Sequence, residues 1–559
     1  MKKLILSGIF LFFFVALHAQ LTQTDDALKK NLKQHISTLA SDRYEGRETG
    51  KNGEQLAYQY IMSAFKEIGM EPKGTAGYLQ AFQFEAGKKM GKKNQLVINK
   101  KTFDAGEDFF PMPYFISGSV TAEAVKVGFG ICAPALDYDD YKNTKNLAGK
   151  IFIIETATPD GSNPHGKFSD YNELQARVDT AASKGAAGVI FINTTKDAED
   201  PVQDYANKYN RMTTIPVVFA KSGVHQTLLQ DGNFSVSMTV DLEKIELTGH
   251  NVIGFIDNKK PYTIVIGAHY DHLGYGGHES LYRGKPAIHN GADDNASGTA
   301  ALIELGRALK NNNDRAYNYL LIAFSGEEKG LLGSNYFVKN PTIDLKSMNC
   351  MLNMDMVGRL KKDERTLIIT GTGTSPAWNE LISKISIDSV KYKLTESGVG
   401  PSDQTSFYLK DIPALHFFSG SHEDYHKPSD DEDKINYNGA VSIIKIIAAL
   451  IHVLNQKEKL AFTKTNDSNN EEVPRFKVTL GVVPDYAFEG EGMRIDGISD
   501  GKPASKAGLQ AGDVVVQLGD HVVSDMMTYM KALGKFSKGD TTIVKFKRAN
   551  EIKEAPITF

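Results

Sequence analysis

Histidine, aspartate and glutamate recur at five places in the middle of this chain. They are His269 and Asp271 in His-Tyr-Asp, the pair Asp293–Asp294, the pair Glu327–Glu328, Asp355 in Asn-Met-Asp-Met, and His426 in Tyr-His-Lys-Pro. Each of these side chains offers a nitrogen or an oxygen, and most of the stretches follow a short apolar run of the kind that becomes a buried strand. Gathered at one edge of a sheet, the set would crowd like charges and shift their pKa values strongly unless cations compensated. Only two cysteines are present, Cys132 and Cys350, so any metal would be held by imidazole and carboxylate rather than thiolate. Metal-assisted hydrolysis is the chemistry open to such a centre.

The elements that must position these groups run from about residue 248 to 455. Ile264–Gly267, Leu320–Phe324, Cys350–Met354 and Ala414–Phe418 are apolar runs of strand length. Asn295–Leu309 has helical spacing at Leu302, Leu305 and Leu309, and Ala440–Leu454 is an apolar helix. Strands alternating with helices predict an α/β domain with a mostly parallel sheet covered on both faces. In such sheets ligands bind beyond the carboxyl ends of the strands, which is where these donors fall. Residues 27–70 also read as helical, with Ala57, Ile61, Phe65 and Ile68 on one stripe.

At 559 residues the chain implies three or four units, taking roughly 100–200 residues per domain. A net charge of −4 is small for this length and points to neither nucleic acid nor an anionic membrane as partner. Lys2 and Lys3 precede the apolar run Leu4–Leu17, and Ala19 offers a cleavage point, so residues 1–19 read as a signal peptide. An exported protein follows, periplasmic or secreted, with no membrane association after cleavage. The two cysteines fall in different units and read as free thiols. Residues 113–247 form a separate insert, 463–474 a polar linker, and 475–559 a compact C-terminal unit with Gly-Asp turns at 512–513 and 519–520.

The series Gly-Ala-His-Tyr-Asp-His-Leu-Gly, Asn-Gly-Ala-Asp-Asp-Asn-Ala-Ser-Gly, Ala-Phe-Ser-Gly-Glu-Glu, Asn-Met-Asp-Met-Val-Gly-Arg and Glu-Asp-Tyr-His-Lys-Pro-Ser-Asp resembles the co-catalytic di-zinc aminopeptidases. The resemblance spans about 25–112 and 248–455 and implies the zinc-exopeptidase fold, with a mostly parallel mixed sheet between helices. It implies two zinc ions per chain, bridged by Asp293, with His269 and Asp355 completing one site and Glu328 and His426 the other. Asp271 would orient His269, Glu327 would be the general base for a water between the ions, and Tyr425 would hydrogen-bond the reacting carbonyl oxygen. The family's peptide bond between the paired aspartates is usually cis, which would aim Asp293 at both ions. Gln404, in Ser-Asp-Gln, departs from a histidine common in relatives.

The expected activity is removal of N-terminal residues from peptides. The alternatives of the same fold are a carboxypeptidase or a glutaminyl-cyclase-like enzyme. The rival from another class is a non-catalytic peptide-binding protein, disfavoured because all five ligand positions and the base are present. Val-Gly-Phe-Gly-Ile-Cys at 127–132, Tyr138–Tyr141 and Ala-Gly-Lys-Ile at 148–151 make the insert similar to a protease-associated (PA) domain, which is β-rich and would roof or restrict the cleft. The C-terminal unit resembles a PDZ domain, with Leu480, Gly481, Val482 and Val483 as its carboxylate-binding loop and peptide C-termini as its partners. The chain's own terminus at Phe559 would be a competitor for that groove.

Overall fold

The computed structural model describes residues 23–559 apart from 116, 162–165, 196–199, 202, 204, 206–212, 231–233, 278, 283, 466–477, 485–487, 489, 499–500, 525 and 550. The expected signal peptide and most of the expected linker lie outside the described residues. The chain divides into two compact units, one within residues 1–82 and 249–473 and the other within 83–248 and 474–559.

In the first unit four strands run side by side and parallel, in the order Ala414–Phe418, Met348–Met354, Thr263–His269 and Asn318–Phe324. Thr366–Thr370 and Lys391–Thr395 extend one edge, the former antiparallel to Ala414–Phe418. Val252–Ile256 pairs antiparallel with Asn318–Phe324 at the other. The sheet is therefore mixed and mostly parallel. All seven residues of Thr263–His269, of Asn318–Phe324 and of Met348–Met354 are buried, as a parallel sheet covered on both faces requires.

One face carries the helices Asp25–Leu39, Asn52–Ile68, Gly298–Asn311 and Tyr437–Leu454, whose apolar sides join Ile264, Ile266 and Leu352 in one core. Fully burying each Leu or Ile there stabilises by about 1.5–3 kcal/mol. The other face takes the short helices Leu332–Lys339 and Gln404–Tyr408, where Phe407 packs on Phe324 and Phe337. Tyr437–Leu454 is apolar enough to cross a membrane by length and composition alone, but most of it is buried in this core.

The helical stretch expected over 27–70 is interrupted. Asp25–Leu39 is capped by Thr24, whose hydroxyl accepts from Ala27 N at 3.3 Å, and it ends before the turn Asp42–Arg47. Glu45, Gly46 and Arg47 all sit at positive φ, which no helix continues through. A Cβ on Gly46 would lie 2.5 Å from the carbonyl oxygens of Gly274 and His289, so the turn presses directly on the loop beside the donors.

In the second unit, Ile151–Glu155, Gly188–Ile192 and Val217–Ala220 form a parallel set, joined in parallel by Ser117–Lys126 on one side and antiparallel by Phe109–Pro111 on the other, with the helices Leu174–Ser183 and Ser222–Leu229. Gln95–Ile98 and Phe109–Pro111, which the sequence reading assigned to the catalytic part, pair here with Val236–Thr239 and Val218–Ala220. The chain thus leaves the first unit near residue 82 rather than 112. Residues 478–559 build their own sheet and core around Leu480, Ile495, Val515, Phe546 and Ile557. Cys132 and Cys350 are free thiols, as expected.

Candidate metal centre

His269 is the last residue of a buried central strand, Asp355 directly follows its neighbour, and Glu327 and Glu328 follow the strand on the other side. Three strand ends thus deliver their side chains to one place. His269 Nε2 lies 3.1 Å from Asp355 Oδ1 and 3.4 Å from Asp294 Oδ1. His426 Nε2 lies 3.1 Å from Glu328 Oε2 and 3.3 Å from Asp294 Oδ2. The two oxygens of Asp294 therefore point to two different imidazoles, each already beside a second carboxylate.

This geometry corrects the expected role of Asp293. Asp293 Oδ1 accepts from Gly358 N at 2.6 Å and Ser297 Oγ at 3.0 Å, and its Oδ2 faces His422 Nε2. Asp293 is spent on holding the turn, and its neighbour does the straddling. The cis peptide bond is likewise Asp294–Asn295, not the one between the two aspartates. Two adjacent aspartates have the same chemistry, and only the phase of the turn before the helix Gly298–Asn311 decides which faces the strand ends.

The remaining expected residues are found close by. Asp271 lies with one oxygen 3.7 Å from His269 Nδ1, and it accepts from Thr49 Oγ1 at 2.9 Å and from Glu327 N at 3.2 Å. Glu327 is thereby fixed at its backbone by the same carboxylate that flanks His269. Tyr425 stacks on His426 with ring centroids 3.9 Å apart. Gln404 is occupied by Asn353, whose Nδ2 donates to its Oε1 at 3.2 Å.

Three further residues were not singled out from the sequence. His272 Nδ1 is 2.7 Å from Glu328 Oε1; its signal was present as the fourth residue of His-Tyr-Asp-His. Asp403 is fully buried, and burial, reinforced by the charges of Asp271 and Asp355, pushes its carboxyl up to about 7. Arg47 is wholly buried and donates to the carbonyl oxygens of Tyr270, Leu39, Asn290 and Gly291 at 2.6–2.9 Å. Burial lowers its pKa to about 10 against the opposing pull of Asp294 and Asp271, so it stays charged at neutral pH and fixes the loop that carries Asp294.

The electrostatics follow from this crowding. Burial opposes the charged form of His269 and His426, yet Asp355 and Glu327 in one case, and Glu328 and Asp294 in the other, raise both imidazoles well above their ordinary value. Burial likewise opposes ionised Glu328, but His426 holds it down at about 2. Glu327 goes the other way: burial, with Glu328 and Asp355 nearby, raises it well above the usual carboxylate range despite His269.

The donor set fits a pair of divalent cations. His269 Nδ1 donates to the carbonyl oxygen of Asp271 at 3.2 Å, and His426 Nδ1 to that of Glu279 at 2.9 Å. With those protons committed, both Nε2 atoms turn lone pairs toward carboxylates, an arrangement that needs a second proton or a metal between them. The ligand atoms of His269, Asp294 and Asp355 lie within 4.8 Å of one another, as do those of His272, Asp294 and Glu328. Imidazole with carboxylate suits zinc, cobalt or manganese.

The sequence model of peptidase family M28 matches residues 251–451, which contain every one of these donors. The chain carries a peptidase family M28 domain. A PA domain matches residues 120–228, within the expected insert, and a PDZ domain matches 462–558. The chain is 28% identical to aminopeptidase YwaD of Bacillus subtilis, over 56% of its own length and 65% of the relative's. It is 24% identical to the probable lipoprotein aminopeptidase LpqL of Mycobacterium tuberculosis, over 73% and 76% of the two chains. The chain spans 55–65% of the length of YwaD and of two fungal probable leucine aminopeptidases. Among solved structures, a zinc aminopeptidase from Bacillus subtilis is similar at 22% identity, covering 80% of this chain and 97% of that one with a TM-score of 0.44.

Proposed function

We propose that this M28 chain is an exported, zinc-dependent aminopeptidase that hydrolyses N-terminal residues from peptides. The observation that carries this reading is Asp294, whose two oxygens face His269 with Asp355 on one side and His426 with Glu328 on the other. Zinc bound at these positions would polarise the scissile carbonyl and make water a nucleophile near neutral pH.

The chain's own residues supply the rest. Glu327 does not face His269 or His426 in an ion pair among the described contacts, and its raised pKa suits a group that takes a proton from the attacking water and returns it to the leaving amine. Asp271 keeps Glu327 and His269 in register by contacting both. Tyr425, stacked on His426, is the proposed donor to the substrate carbonyl oxygen as negative charge develops there. A free substrate amine is a cation and is drawn to the cluster of carboxylates.

The carboxypeptidase alternative needs a free cation to hold a substrate carboxylate. Arg359, which follows Asp355 in sequence, is one candidate, and its Nη2 already pairs with Asp424 at 3.1 Å while Nη1 faces Asp430 at 3.9 Å. That commitment favours the aminopeptidase reading. The cyclase reading is disfavoured by the complete ligand set.

Replacing Glu327 with Gln tests the assignment. The variant should keep its zinc, measured by elemental analysis, and lose about 10³-fold or more in kcat, in keeping with removal of a general base from a buried site. Near-normal turnover would remove Glu327 from the mechanism.

The PDZ domain is proposed to capture peptide C-termini. Gly481 sits at φ +76° between buried Leu480 and the edge strand Val482–Pro484, and a Cβ there would lie 2.1 Å from Lys502 Cβ. Phe559 does not need that loop: its carbonyl accepts from Gly539 N at 2.7 Å and its ring packs on Phe536. Free-acid peptides should bind and their C-terminal amides should not; equal affinity for the two forms would exclude carboxylate capture.

A further inference from the structure

His272 faces the centre the opposite way round from the other two imidazoles. His269 and His426 turn Nε2 inward and have a backbone carbonyl behind Nδ1. His272 turns Nδ1 inward, 2.7 Å from Glu328 Oε1 and 3.8 Å from Asp294 Oδ2, and its buried Nε2 has no hydrogen-bond partner among the described residues. The ring is wedged in place. A Cβ on Gly291 would come within 2.5 Å of His272 Cδ2, and the His426 ring stands edge-on at 5.8 Å.

The tautomer follows from where a proton can go. If Nδ1 offered its lone pair to a cation, the proton would sit on Nε2, leaving a buried donor with no acceptor at a cost of about 1–3 kcal/mol. If the proton sits on Nδ1, it meets Glu328 Oε1 and nothing is orphaned but a lone pair. Metal-ligating histidines nearly always have an acceptor behind the other ring nitrogen. His269 and His426 meet that condition and His272 does not.

We propose that His272 is a positioning residue that donates Nδ1–H to Glu328 Oε1, and so limits Glu328 to a single metal-facing oxygen, Oε2. The inference rests on the metal-centre reading above and deepens it. With one lone pair of Oε1 committed to that hydrogen bond, Glu328 would turn Oε2, the oxygen that faces His426, toward a bound cation. The proximity of His272, Asp294 and Glu328, which resembles a second metal-binding trio beside that of His269, is on this account a hydrogen bond between His272 and Glu328, two side chains with different tasks.

The test is zinc binding by the full-length protein, measured by competition with a chromophoric chelator, for wild type, His272→Asn and His272→Ala. Asn places an amide N–H close to where the imidazole Nδ1–H lies. Wild type should bind two zincs. His272→Asn should bind both within about threefold of wild type, and His272→Ala should bind both with one weakened by about 10–100-fold, the usual effect of losing such a partner. Loss of one zinc in both variants would make His272 a ligand and overturn the proposal; unchanged affinities in all three would overturn it as well. If His272→Ala does not fold, the ¹⁵N spectrum of histidine-labelled, zinc-loaded wild type decides. The signal absent in His272→Asn should report the Nδ1-protonated tautomer, and an Nε2-protonated ring would overturn the assignment. Wild type that binds no zinc would defeat the metal-centre reading itself, a result distinct from each of these.

Discussion

The carboxylate of Asp293 faces the imidazole of His422 across 3.2 Å, Oδ2 to Nε2. Its other oxygen takes hydrogen bonds from Gly358 and Ser297, so both are committed away from His269 and His426. Behind it, Asp430 Oδ2 accepts from the backbone N–H of both Asp293 and Asp294 at 3.0 Å. One aspartate of the pair is anchored, and this frees the other to reach two imidazoles at once.

That division of labour separates the two substitutions. Asp294→Asn should lose at least one zinc by elemental analysis and about 10³-fold or more in turnover, because it removes the charge that faces both His269 and His426. Asp293→Asn should keep both zincs and lose about 1–3 kcal/mol of stability from a buried hydrogen-bonding group left mispaired. Zinc loss in Asp293→Asn with full retention in Asp294→Asn would reverse the assignment.

A second buried ionic group lies among the helices rather than at the strand ends. Burial opposes ionised Glu304, yet hydrogen bonds from His35, Asn31 and Arg307 outweigh it and hold its pKa at about 2, below the usual 4.5. A depressed carboxylate contributes stability that is present above pH 4.5 and is lost as pH falls towards 2. The shift corresponds to about 3 kcal/mol at neutral pH. Chemical denaturation of Glu304→Gln should show a deficit of that order at pH 7, shrinking to nothing near pH 2. A deficit independent of pH would mean that packing, not charge, is what Glu304 supplies.

Much of the M28 domain was legible in the chain because its central strands are continuous apolar runs, and three of them are followed within three residues by an imidazole or a carboxylate. His269, Asp355, Glu327 and Glu328 are positioned by nothing more than where a strand stops. Asp294 was harder, since the choice between adjacent aspartates depends on backbone turns that no residue type announces. Arg47 was illegible for a related reason. Its partners are carbonyl oxygens of distant loops, and a carbonyl leaves no mark in a sequence. The boundary near residue 82 was missed because Gln95–Ile98 finds its partner strand some 140 residues away, at Val236–Thr239. Such a pairing is set by register, not by local pattern. His272 stood in plain view, but its inverted orientation exists only in three dimensions.

The most direct measurement is turnover of a panel of aminoacyl-p-nitroanilides by the full-length protein, beside the same compounds blocked at the amine, with and without a zinc chelator. The account predicts cleavage of the free-amine compounds alone, abolished by the chelator and restored by added zinc. Cleavage that survives full removal of metal, or that proceeds equally well on blocked amines, would contradict it.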